Sequence, residues 1–224
     1  FLARIVNFSL ILILIICLGL ILPATPRDSK SLLFSKIAKD SLLQNIKPPR
    51  IILVGGSNLS FGLNSQMIKD SLGLNPINTG IHAAIGLIYM LDNTLPYIKS
   101  GDIVVISPEY NQFFGTIAYG REELLRTVFD IKFSQALKLR KEQWENIMKY
   151  IPKYAISKFD PREYFDVVEN NIYGVHSFNE FGDADKHWAL KKQEILPDDA
   201  LEDNFNYSVM NALYNFNQQL INKG

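Results

Sequence analysis

Short strand-like runs alternate with helical patterns through the middle of the chain. The runs are Ile51 to Val54, Pro76 to Thr79 and Ile103 to Ile106. Brief runs bounded by glycine or serine favour buried strands over helices. The alternation predicts an α/β fold with a parallel sheet, in which all three strands end at the same edge.

Apolar residues at helical spacing predict helices in the segments between and after these strands. A first helix should run from the N-cap Asn64 to Gly73, with Leu63, Met67, Ile68 and Leu72 on its inner side. Further helices are predicted over Ala84 to Ile98, Arg121 to Ile151 with Pro152 as the stop, and Phe205 to Leu220.

The amino end carries the longest apolar stretch, Ile5 to Leu22, interrupted only by Asn7 and Ser9. About 20 such residues cross a hydrocarbon core, whereas a signal peptide has a shorter apolar region and a small-residue cleavage site. An uncleaved single-pass anchor is therefore favoured, with a cleaved signal or a buried core helix as alternatives. The expected organisation is an anchor over 1–23, a polar connector over 24–49 and a domain over 50–224 outside the cytoplasm.

Composition removes several classes of function. Lys and Arg number 23, as do Asp and Glu, so a formal net charge of zero gives no reason to expect nucleic acid as a partner. Cys17 is the single cysteine and lies in the apolar stretch, which excludes a disulfide framework and a cysteine metal site. No cofactor and no metal are expected.

The candidate chemistry centres on Ser57, which follows the first strand after Gly55 and Gly56. A hydroxyl on a tight turn at the carboxyl end of a parallel strand lies where open α/β sheets place ligands. Backbone N–H groups and a helix amino end nearby are the donors that a developing oxyanion needs. The alternative is that Ser57 is an ordinary turn residue with no catalytic role.

Three blocks in order carry a family resemblance. Gly55 to Gly62 resembles the first block of SGNH/GDSL-type hydrolases, Asn78 to Gly86 resembles the glycine block, and Gly101 to Asn111 resembles the strand and turn of the third. The likeness is greatest to membrane-anchored bacterial members. It covers about Arg50 to Phe113 well and the remainder only loosely.

The resemblance implies a flavodoxin-like three-layer sandwich and a site with named roles. Ser57 would be the nucleophile, with oxyanion donors from the backbones of Ser57 and Gly80 and from Asn111. The family base is the histidine of an Asp-x-x-His motif, which this chain lacks, since Asp183 and His187 are four apart. We therefore expect the chain to be truncated at its C-terminus, with a fourth strand still to come and a helical cap insertion over about 115–200.

Other polar residues have plainer expected roles. Glu109 is expected to be a solvated or structural carboxylate, and His82 to make a structural hydrogen bond. His176 and His187 lack an acidic partner at motif spacing. The segment Asn179 to Asp183 is expected to order the cap loop, with a substrate contact as the alternative.

The expected function is a membrane-anchored serine esterase or acyltransferase that works through an acyl-serine intermediate. Anchored relatives suggest cell-surface glycan esters as substrates. The main alternative is a non-catalytic anchored module that binds a glycan or a membrane partner. A nucleotide-binding role is weak, because neither G-x-G-x-x-G nor a P-loop lysine is present.

Overall fold

The computed structural model describes residues 1–191 and 204–223. The three strands are β1 Arg50–Gly55, β2 Asn75–Asn78 and β3 Ile103–Ser107. The α-helices are α1 Leu2–Ile21, α2 Pro26–Ser29, α3 Ser35–Asn45, α4 Ser57–Gly62, α5 Ser65–Leu72, α6 Leu87–Thr94, α7 Glu122–Arg126, α8 Lys141–Ile147, α9 Ile151–Ser157 and α10 Tyr207–Ile221. Short 3₁₀ turns and a π turn at Thr127–Ile131 connect several of them.

The sheet confirms the predicted α/β class. Its strand order is β2-β1-β3, and both pairings are parallel. Arg50 pairs with Asn75, and Ile51 pairs with Ile103. All three strands therefore end at one edge, which is the edge where Ser57 follows β1.

Helices cover both faces of β1. Ile52 and Val54 belong to the larger apolar cluster, which includes Leu43 of α3 and Leu87 of α6. Ile51 and Leu53 point the other way and pack with Leu59 and Ile68. Burial on both faces explains why the strand reads as an unbroken apolar run.

The first predicted helix is confirmed, but its inner face is narrower than expected. Asn64 caps α5 by accepting from the Met67 N–H at 3.2 Å, and Gly73 ends it with φ 64°. Of the predicted inner residues, Met67 and Leu72 are 65% and 60% exposed. Because α5 has only about two turns, only a narrow face of the helix packs against the sheet, and Ile68 lies on that face.

The second predicted helix is interrupted. A 3₁₀ turn at Ala83–Ile85 precedes α6, and Gly86 separates them with φ 90°. A Cβ on Gly86 would lie 2.8 Å from the Ala118 carbonyl oxygen. The left-handed backbone at Gly86 and this close neighbour interrupt the helix, which the apolar periodicity predicts as continuous.

The prediction of one continuous helix from Arg121 to Ile151 was wrong. The segment divides into α7, the π turn, a 3₁₀ stretch at Phe133–Lys138 and α8. Pro152 does not stop a helix, because it lies in the first turn of α9. The N–H groups of the first turn make no hydrogen bond within the helix, so a proline there fits the start of a helix.

The connector packs into the domain more than a linker would. Leu33 and Leu43 are buried, and Leu43 is 1% exposed. The boundaries at 1–23, 24–49 and 50–224 stay predictions, and residues 192–200 of the predicted cap insertion lie outside the described residues.

The amino-terminal helix is distinct from the domain. α1 is 20 residues long, its apolar window has a mean hydropathy of 3.0, and that window is 6% buried. It is long and apolar enough to cross a membrane. Its most extensive contact with the domain is with α9, and Leu20 near its end also packs against the apolar core.

Candidate active site

Ser57 begins α4 one residue after the turn that ends β1. Gly56 makes that turn, and a Cβ there would lie 3.0 Å from Ala83 Cα and collide with Glu109 Oε1. The glycine is therefore required for the close approach of three chain segments. Ser57 lies at the carboxyl end of the central strand, as predicted from the sequence.

A carboxylate lies directly against the Ser57 hydroxyl. Ser57 Oγ donates a hydrogen bond of 2.7 Å to Glu109 Oε1. The Asn58 N–H donates to the same oxygen at 3.2 Å. Glu109 comes from the turn after β3, so the parallel sheet brings the ends of two neighbouring strands together.

Asn58 locks the serine turn onto β3. Its side-chain Nδ2 donates to the Ser107 carbonyl at 3.0 Å and to Ser107 Oγ at 3.1 Å. Its Oδ1 accepts from the Gly56 N–H at 3.1 Å. These bonds fix the position of the Ser57 hydroxyl relative to the third strand.

Glu109 is held from behind by a buried glutamine. The Glu109 N–H donates to Gln112 Oε1 at 3.0 Å, and Gln112 Nε2 donates to the Ala83 carbonyl at 3.0 Å. Gln112 is 0% exposed. The carboxylate is thus placed by a three-segment network and is not a free surface group.

Ser57 and Glu109 open into a cleft of about 500 Å³. Its walls combine apolar, aromatic and polar groups: Leu32, Ser57, Asn58, Phe61, His82, Glu109 and Tyr173. The Phe61 and Tyr173 rings lie 5.3 Å apart, centre to centre. A concave site with this mixture of groups is typical of ligand-binding clefts.

His82 is the histidine that lines this cleft. Its Nδ1 accepts from the Ala84 N–H at 3.2 Å, so a neutral ring carries its proton on Nε2. The structural hydrogen bond expected for His82 is present, and it leaves Nε2 as a donor.

The other two histidines do not line the cleft, although His187 contacts Phe61 of its wall. His176 has an exposed side chain and an acidic partner that motif spacing did not reveal, since its Nδ1 lies 2.8 Å from Glu169 Oε2. His187 packs edge-on against Phe61, with ring centroids 5.3 Å apart.

Of the three predicted oxyanion donors, Ser57 lines the cleft, whereas Gly80 and Asn111 do not. The Gly80 N–H donates to Asn78 Oδ1 at 3.0 Å, and Asn111 Oδ1 is buried without a hydrogen-bond partner. An oxyanion role for Gly80 requires its N–H to leave Asn78. Both roles stay predictions.

The segment that contains Asp183 serves the fold. Asp183 is fully buried and accepts hydrogen bonds of 2.7 Å from the Ser65 N–H and Oγ and of 2.8 Å from Asn78 Nδ2. The Asn78 N–H donates to the Phe181 carbonyl at 2.8 Å, which docks the segment beside β2. Asp183 is therefore bound to β2 and α5.

Lys39 ties the same region to α3. Its ammonium donates to the carbonyls of Asn78, Gly80 and Gly182 at 3.1, 2.5 and 2.5 Å. Burial lowers the pKa of Lys39 to about 7, and attraction to Asp183 opposes that shift. Lys39 also lines a small pocket of about 30 Å³, which is too small for a substrate.

Within the part of the chain that the structure describes, no group of three His, Cys, Asp or Glu side chains could hold a metal ion. Comparison of the chain with protein-family models, curated proteins and solved structures found no match. The resemblance to SGNH/GDSL-type hydrolases therefore rests on the three sequence blocks and stays a prediction.

The sequence did not place Glu109 beside Ser57, and the structure brings the two side chains into contact. The available signal was its position directly after β3, because the turn after an adjacent parallel strand reaches the same edge as Ser57. What the sequence could not reveal is that β3 pairs directly with β1, which brings Glu109 against Ser57.

Proposed function

We propose that the chain is a membrane-anchored serine esterase or acyltransferase of the SGNH type, with Ser57 as nucleophile. The observation that carries the proposal is the 2.7 Å hydrogen bond from Ser57 Oγ to Glu109 Oε1 within an open cleft. A serine hydroxyl is a weak nucleophile unless a neighbouring base takes its proton, and Glu109 is placed to do so.

The reaction then proceeds in two balanced steps. Ser57 Oγ attacks the ester carbonyl carbon while its proton passes to Glu109, and the proton next goes to the departing alkoxide oxygen. The product is an acyl-serine and a free alcohol. Water or a second hydroxyl attacks the acyl-serine by the reverse sequence, which regenerates Ser57.

His82 supports this assignment as a hydrogen-bond donor. With its Nδ1 engaged by Ala84, the neutral ring offers an Nε2–H at the cleft wall. A donor in this position stabilises negative charge on a substrate oxygen. Gly80 and Asn111 remain the donors that the family resemblance implies.

The apolar helix α1 supports a single-pass membrane anchor. We propose that the domain lies outside the cytoplasm. Cell-surface glycan esters are the substrates that the family resemblance suggests. Under this proposal no nucleic acid and no cofactor takes part.

The test is covalent labelling of the detergent-solubilised full chain with a fluorophosphonate. Wild type should be labelled, and Ser57→Ala should lose the label because the attacking oxygen is gone. The matched control is Ser60→Ala, three residues along α4, whose buried hydroxyl faces Ile81 O at 3.4 Å. Equal labelling of wild type and Ser57→Ala removes Ser57 from the active site.

The role of Glu109 has its own prediction. Glu109→Gln keeps an acceptor for the Ser57 hydroxyl but cannot take its proton, so kcat for an aryl ester should fall about 10²- to 10⁴-fold. Exposed Glu142→Gln is the control and should retain full rate. Unchanged kcat in Glu109→Gln would show that another group is the base.

A second candidate is a non-catalytic module that binds a glycan. The neighbouring rings of Phe61 and Tyr173, together with the polar groups that line the cleft, favour it. Aromatic walls pack against the C–H faces of a sugar while polar groups reach its hydroxyls. Saturable binding of an acetylated polysaccharide by wild type and Ser57→Ala alike, with no ester turnover, would favour this function over the enzyme.

A further inference from the structure

The contact between α1 and α9 sets where the domain stands along the amino-terminal helix. Gly19 is the buried residue of α1, and a Cβ there would lie 2.7 Å from Ala155 Cα. The missing side chain lets the two backbones touch. Gly19 is two residues before the end of α1, so α9 lies at the level of its last turn.

The length of α1 shows at which depth in a bilayer this contact would lie. Twenty residues at 1.5 Å per residue extend about 30 Å, which matches the hydrocarbon core of a bilayer. When α1 spans that core, its last turn reaches the boundary with the lipid headgroups. α9 then lies at the same boundary, an argument that rests on the proposed membrane anchor.

Large apolar side chains are exposed on α9 and just after it. Ile156 is 50% exposed, Phe159 47%, Phe165 70% and Val168 85%. We name these four residues the lipid-facing surface. Large exposed apolar side chains that recur within one short segment mark a candidate interaction surface.

Hydrogen bonds hold the later half of this surface close to the end of α1. Arg27 Nη2 donates to the Arg162 carbonyl at 2.8 Å, and Lys30 Nζ donates to the Val167 carbonyl at 2.7 Å. Thr25 Oγ1 donates to Glu163 Oε2 at 3.0 Å. The donors lie a few residues after the end of α1. The segment 162–168 is therefore held next to the residues that follow α1.

We propose that the lipid-facing surface rests in the headgroup–hydrocarbon interface of the bilayer that α1 crosses. Continuity with α1 identifies lipid as the occupant, because α9 cannot leave the depth that Gly19 gives it without breaking their contact. Phenylalanine and aliphatic side chains buried at this boundary are typical of interfacial segments. Two separate contacts, α1 and this surface, would then fix the orientation of the domain.

Site-directed spin labelling of the full chain in phosphatidylcholine–phosphatidylglycerol vesicles tests the proposal. In a Cys17→Ser background, Phe165→Cys and Val168→Cys each carry a nitroxide. The control is Tyr214→Cys on α10, where the native side chain is 64% exposed. The ratio of collision rates with oxygen and with a water-soluble nickel chelate should be several-fold higher at 165 and 168 than at 214.

Native Cys17, exposed on α1, separates this inference from the anchor proposal. A label on Cys17 at bilayer depth together with water-like ratios at 165 and 168 overturns the inference and leaves the anchor intact. A water-like ratio at Cys17 overturns the anchor and the inference together. Low collision rates with both reagents at 165 and 168 indicate burial against protein, which also refutes a lipid contact.

Discussion

At the scale of single residues, the site depends on the missing side chain of Gly56. A methyl group there would strike Glu109 Oε1 and lie 3.0 Å from the Ala83 backbone. Gly56→Ala should therefore displace Glu109, lower the free energy of unfolding by about 1–3 kcal/mol and reduce ester turnover. Urea unfolding and turnover of an aryl ester measure the two effects.

Gly62, at the end of the same helix α4, is the matched control. A Cβ added there meets no atom within 4 Å. Gly62→Ala should leave stability within about 0.5 kcal/mol of wild type and leave turnover unchanged. Equal behaviour of the two variants would show that the close approach at Gly56 does not position the Ser57–Glu109 pair.

At the scale of elements, a buried ion pair joins the starts of β1 and β3. Arg50 Nε donates to Asp102 Oδ1 at 2.8 Å, and a second bond links Arg50 Nη2 with Asp102 Oδ2. Both side chains are 0% exposed, and Arg50 also reaches the carbonyls of Leu43 and Tyr97. One guanidinium thus aligns two strands, the end of α3 and the turn after α6.

Asp102→Ala should destabilise the chain by about 3–5 kcal/mol, because the Arg50 charge would stay buried without its partner. The unfolding midpoint in urea measures the loss. The control is Glu145→Ala, whose partner Lys141 is 83% exposed, and its cost should be below about 1 kcal/mol. A small loss in both variants would mean that water replaces Asp102 without strain.

At the scale of the whole molecule, Lys39 links the connector, the sheet and the segment after residue 178. Burial lowers the pKa of Lys39 from 10.5 to about 7. Between these values the unfolded chain binds the proton and the folded chain has lost it. The free energy of unfolding should therefore rise with pH over this window, by up to about 1.4 kcal/mol per pH unit from this group.

Urea unfolding of wild type and Lys39→Met across that window isolates the contribution. The wild-type curve should rise more steeply with pH than the Lys39→Met curve, whatever the absolute cost of the substitution. Exposed Lys47→Met should keep the wild-type slope. Parallel curves for wild type and Lys39→Met would show that the three carbonyl acceptors hold the ammonium charged in the folded state.

Local features of the sequence determined the strands, the Asn64 cap with its Gly73 end, and the place of Ser57 at a strand end. Each depends on neighbours within a few positions, where glycine, asparagine and β-branched residues restrict the backbone directly. The apolar stretch at the amino end belongs to the same class, because length and hydropathy need no tertiary partner.

Only the tertiary structure decided which polar groups meet. Ser57 and Glu109 are 52 residues apart and touch because β3 pairs with β1. The break at Gly86 follows from the approach of Ala118, and the Gly80 N–H turns to Asn78 because that side chain is anchored by Asp183. These outcomes come from contacts between distant segments, and no local pattern of hydrophobic and polar residues encodes them.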